Sequence, residues 1–119
     1  FLGAGDFNRD GWKDIVAAQR GGNSLVLLAG NAKGNYKPQS IELPGGVTAL
    51  LAENIDPADG QPDVAVALSD ANGAWLFVFD NQTNVFAEQP RIYPLPAEAT
   101  SLVLGQLDNY APMDILAAA

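Results

Sequence analysis

Three observations predict an all-β chain that forms part of a β-propeller, built from four-stranded blades of about 50 residues. First, short apolar runs at 15–18, 25–29, 64–68 and 75–79 are separated by clusters of Gly, Asn, Asp and Pro. Second, no segment sustains a 3.6-residue apolar period over ten residues, which excludes helical repeats. Third, the pattern recurs: Asp14, Asp63 and Asp114 stand 49 and 51 residues apart, each opening a short apolar run. A β-sandwich would give no reason for the sequence to repeat. The repeats divide the chain into a blade over 1–46 lacking most of its first strand, a complete blade over 47–98, and the start of a third over 99–119. Since propellers close with about four to eight blades, all three are expected to belong to one larger propeller.

Taken in order, residues 1–4 read as the tail of a strand, and 15–18 as a short buried one. Arg20-Gly21-Gly22-Asn23 is a turn, and 24–29 a further strand. Gly30-Asn31-Ala32-Lys33-Gly34-Asn35 is hairpin punctuation before an outer strand over 36–43, where Pro38 is tolerated at a sheet edge. After Pro44-Gly45-Gly46 the order begins again, with strands at 47–52, 64–68, 74–79 and 89–95. A third start covers 100–104 and 114–118.

The stretch Asp6-Phe7-Asn8-Arg9-Asp10-Gly11-Trp12-Lys13-Asp14 carries the chemistry. Oxygen-bearing side chains fall at its first, third, fifth and ninth positions, with glycine at the sixth. Alternation turns such oxygens inward around a hard divalent cation, and glycine permits the sharp turn that brings the later ligands round. Asp6, Asn8, Asp10 and Asp14 are the side-chain candidates, and Trp12 would offer its backbone carbonyl. A helix–loop–helix calcium site does not fit, because its twelfth position requires Glu and here holds Ala17. A plain solvated turn needs one or two such residues rather than four in register.

Composition narrows the classes. With neither Cys nor His in the chain, zinc, iron–sulfur and haem sites lose their usual ligands, as do Cys–His and Ser–His nucleophile pairs. A metal must then be held by oxygen, which favours calcium or magnesium. The net charge of −8, with six scattered Lys and Arg, argues against nucleic acid. No apolar run approaches the roughly 18 residues of a membrane span. Eight of ten aspartates fall in three short clusters, which a face charged only for solubility would not require. Trp75, Phe77 and Phe79 alternate on one strand and are expected to pack between blades; Trp12 and Tyr110, in loops, are candidates for ligand contact. Asn81-Gln82-Thr83 fits an N-glycosylation acceptor but reads as an ordinary turn.

The run from Gly5 to Val16, as Gly-Asp-x-Asn-x-Asp-Gly-x-x-Asp and an apolar strand, resembles the FG-GAP/VCBS repeats of integrin-α-like β-propellers. The later Gly30-Asn31 and Gly34-Asn35 turn is similar to the hairpin of that family. The resemblance implies a loop that binds Ca2+ through Asp6, Asn8, Asp10, Asp14 and the Trp12 carbonyl. In the second copy an extra residue near Pro57 departs from the pattern, while Asn54, Asp56, Asp59 and Asp63 remain as ligand candidates. In the third, Gln106 and Tyr110 stand where Asp6 and Asp10 stand in the first, so little or no metal is expected.

These readings lead to a calcium-stabilised module that binds or adheres to a protein or glycan through loops at one end. Weak calcium affinity is typical of extracellular modules, so an extracellular, cell-surface or periplasmic location is expected. The alternative is the propeller domain of a polysaccharide-degrading, lyase-like enzyme. Catalysis is not expected of this stretch, because its four glutamates show no pairing and its aspartates are committed to loops.

Overall fold

A computed structural model describes residues 1–55, 62–80, 89–105 and 114–118. The chain is all-β, with ten strands and no helix among the described residues. The first sheet consists of β1 (Leu2–Gly5), β2 (Asp14–Ala17), β3 (Ser24–Gly30) and β4 (Tyr36–Glu42), hydrogen-bonded in chain order. The second repeats that meander with β5 (Gly46–Glu53), β6 (Asp63–Asp70), β7 (Gly73–Phe79) and β8 (Arg91–Leu95). β9 (Ser101–Gly105) and β10 (Asp114–Ala118) pair as a third, two-stranded sheet. Every pairing is antiparallel, and the three sheets do not close on one another among the described residues.

The sheets stack face to face, and β6 shows how. Its residues Val64, Ala65, Val66, Ala67 and Leu68 are all fully buried, so it reads as a continuous apolar run rather than an alternating one. Val64, Val66 and Leu68 join Phe77 and Phe79 of β7 in a core shared with Val16, Leu25 and Leu27 of the first sheet. The other face of the second sheet sets Ala65, Ala67, Leu76 and Val78 against Leu102 of the third. Alternate residues on one strand thus serve two different cores. The aromatic stripe expected to pack between sheets does so: Phe77 and Phe79 are buried, and Trp75 lies partly buried against them.

First strands of successive sheets are close neighbours, β1 beside β5 and β5 beside β9. Gly3 makes the first approach possible, since a Cβ there would collide with that of Ala52. On the face toward the third sheet, β5 contributes Ala49 and Leu51, β6 only Ala65 and Ala67, and β7 Leu76 and Val78. At the far side of the first sheet, β4 is exposed along nearly its whole length. Lys37, Pro38 and Glu42 make it a poor template for strand addition.

Candidate metal centre

The β1–β2 loop leaves the sheet at Gly5 and returns at Asp14, which are register partners. The same closure recurs, with one extra residue in the second loop: Glu53 faces Asp63, and Gly105 faces Asp114. The closing aspartate therefore occupies one structural position in all three repeats.

Within the loop, Phe7 is the only large apolar side chain turned fully inward, at 0% exposure. It belongs to the core between the first two sheets and fixes the loop to that core. Ile55 does the same for the second loop, at 3% exposure. Around Phe7 the polar residues wrap the other way. Asp6 accepts the Asp10 N–H on Oδ1 (3.1 Å) and the Gly11 N–H on Oδ2 (2.9 Å). Asn8 Oδ1 shares the Asp10 N–H at 3.2 Å, and Asp10 Oδ1 accepts the Trp12 N–H at 2.9 Å. The turn needs left-handed backbone at two places, Arg9 (φ 58°) and Gly11 (φ 87°). Gly11 adopts it without steric cost, whereas Arg9 holds a conformation uncommon for a side-chain-bearing residue.

Asp14 is buried, and both its oxygens are engaged. Oδ2 accepts the Phe7 N–H and Oδ1 accepts the Gly30 N–H, each at 2.9 Å. One carboxylate thus joins the start of the loop, the start of β2 and the end of β3. In the second repeat Asp63, 1% exposed, accepts the Ile55 N–H on Oδ2 at 3.2 Å. Burial pushes the Asp14 carboxyl above its ordinary value. The Gly30 and Phe7 N–H groups oppose that rise, and the neighbouring charges of Asp10 and Asp6 add to it.

Asp6, Asp10 and Asp14 each offer a carboxylate oxygen, and these atoms lie within 4.8 Å of one another. The donor set fits calcium. Two oxygens bonded to one ion at about 2.3–2.6 Å can stand at most roughly 4.6–5.2 Å apart. An oxygen that accepts one N–H keeps a second lone pair for a cation. The three acids are graded in exposure, from buried Asp14 through half-buried Asp6 to exposed Asp10, so the cluster opens to solvent on the Asp10 side. Asn8 stands beside them through its shared N–H, and the Trp12 side chain is 49% exposed.

Of the second-loop candidates, Asn54 and Asp63 flank the loop at the ends of β5 and β6, while Asp56 and Asp59 lie outside the described residues. Gln106, Tyr110 and the Asn81 acceptor also lie outside them. Sequence reasoning missed Gly30. It read as turn punctuation, yet its N–H holds Asp14, and a Cβ there would run into the Lys13 carbonyl. The available signal was a glycine ending the strand that follows the loop strand. Compared with known proteins, the chain matches no family model and no curated protein.

Proposed function

We propose that this chain is part of an extracellular, cell-surface or periplasmic β-propeller of FG-GAP/VCBS type, stabilised by calcium and used to bind a protein or glycan. The three carboxylates of Asp6, Asp10 and Asp14, gathered within 4.8 Å, carry the reading. Like charges held that close, one of them buried, repel strongly unless a cation sits among them. Calcium would supply that neutralising charge. Asp14 and Asp6 fix the loop through backbone N–H groups, and Asp10 closes it from the solvent side. The propeller reading draws support from repeated antiparallel meanders whose first strands adjoin. Loops held in this way present a rigid end surface, the usual place for recognition.

Terbium luminescence tests the metal directly, because Trp12 lies inside the loop and can sensitise the bound lanthanide. Titrated Tb3+ should luminesce on excitation of tryptophan, and excess Ca2+ should quench the signal. Asp10→Ala should abolish it. Luminescence that survives Asp10→Ala and ignores calcium would refute the assignment.

A further inference from the structure

The first two sheets meet tightly at β1 and β5 but part toward β4 and β8. Residues opposite one another across a strand pair share a face. Ile41 lies opposite Leu25, and Ile92 opposite Phe77, so both point into the gap between these sheets. Ile92 is nevertheless 56% exposed. Two cavities of about 350 and 360 Å³ open there and share Phe77 and Ile92 in their walls. The first adds Ile41, Leu43 and Glu42; the second adds Trp75, Asp70 and Asn72. Trp75 and Phe77 are two residues apart on β7, a spacing of about 7 Å. An extended chain laid along the groove has the same side-chain spacing.

Charge selects the occupant. Among the described residues the cavities are lined by two ionisable groups and no Lys or Arg: Asp70 is on the same face of the second sheet as Trp75, whereas Glu42 pairs opposite Ser24 and so faces away from the groove. Arg91 shares a face with Val78, on the other side of the sheet, and pairs with Asp80 at 2.9 Å. Lys37 is on the groove side of β4 but four residues from Ile41, about 13 Å along the strand. Asp70, beside Trp75, is a carboxylate that a cationic group would answer and a neutral sugar would leave unanswered.

We propose that this groove binds an extended cationic peptide segment in which a Lys or Arg and an aliphatic residue stand two positions apart. The aliphatic side chain fills the Ile41–Phe77 cavity. The basic one lies along Trp75 with its charge at Asp70, adding a cation–π contact to the ionic one. The site is separate from the calcium loop and does not depend on it.

The test uses the full chain labelled with 5-fluorotryptophan, the Trp75 resonance being assigned by its loss in Trp75→Phe. The probe is acetyl-Leu-Ser-Lys-Ser-Leu-amide. It should shift that resonance saturably in the millimolar range, with or without calcium, and less at high salt. The Glu analogue of the probe, and Ser-Leu-Lys-Leu-Ser with the wrong spacing, should not. Asp70→Asn should weaken binding about threefold, and Ile92→Ser, at an exposed position, roughly tenfold. Equal response to the Lys and Glu peptides would overturn the proposal. So would a shift produced by cellotetraose, or one that tracks protein concentration as self-association requires.

Discussion

Asp10→Ala and Asp14→Ala separate two roles that the loop combines. Asp14 is buried and satisfies two buried N–H groups, those of Phe7 and Gly30. Each left unpaired costs about 1–3 kcal/mol. Removing a buried carboxylate that Asp10 and Asp6 repel returns part of that. The net loss should be about 2–4 kcal/mol, a large share of a domain stability of roughly 5–15 kcal/mol. It should appear with or without calcium. Asp10 is exposed and accepts one exposed N–H, so in chelator Asp10→Ala should change stability by less than about 1 kcal/mol. Its effect should emerge only with the ion. At roughly 10 mM calcium and a dissociation constant of about 0.1–1 mM, binding adds about 1.4–2.7 kcal/mol. That corresponds to a Tm rise of roughly 5–10 °C, which Asp10→Ala should erase. Scanning calorimetry of wild type and both variants, in EDTA and in calcium, provides the comparison. Identical wild-type curves in the two buffers would refute the ion. An undiminished stability of Asp14→Ala in EDTA would refute the hydrogen-bond account.

Other expectations follow from the same geometry. Gly30→Ala should destabilise the ion-free protein by about 1–3 kcal/mol through the Cβ collision with the Lys13 carbonyl, read from the urea midpoint. Trp12→Ala should leave the calcium-dependent Tm rise intact, because only the carbonyl at that position is a candidate ligand. Loss of the rise would show that the indole side chain, and not the carbonyl alone, supports the ion. In EDTA, Asp14 should make stability fall as pH rises. Its native carboxyl is held above 3.8, so the native state binds more protons than the unfolded one through that window. The stability difference between wild type and Asp14→Asn, followed by denaturant titration from pH 3 upward, should decline accordingly; a difference that grows with pH would reverse the sign.

The strands and sheet edges were legible because turn residues and apolar runs act locally. Pro38 and the two exposed faces of β4 agree with the outer-strand reading. The continuous run 64–68 could not reveal its two destinations, since Val66 and Ala67 are equally apolar and only the stacking of three sheets separates them. The loop was readable as a ligand pattern from its spacing. What spacing hides is which oxygen serves the backbone: Asp14 and Gly30 are 16 residues apart, and nothing local announces that bond. Phe7 stands between two ligand positions, where spacing assigns it no role, although it anchors the loop to the core.

The alternation of Ala65 and Ala67 with Val64, Val66 and Leu68 makes the middle sheet two-sided in a mechanical sense. One side holds bulky groups, where exchanges that conserve volume are tolerated best. On the other, β6 offers only methyl groups, so any larger residue there adds volume. Enlarging Ala65 or Ala67 would press on Leu102 and so push the third sheet away. Volume-conserving exchanges should therefore be accepted at Val64, Val66 and Leu68, and enlargement refused at Ala65 and Ala67.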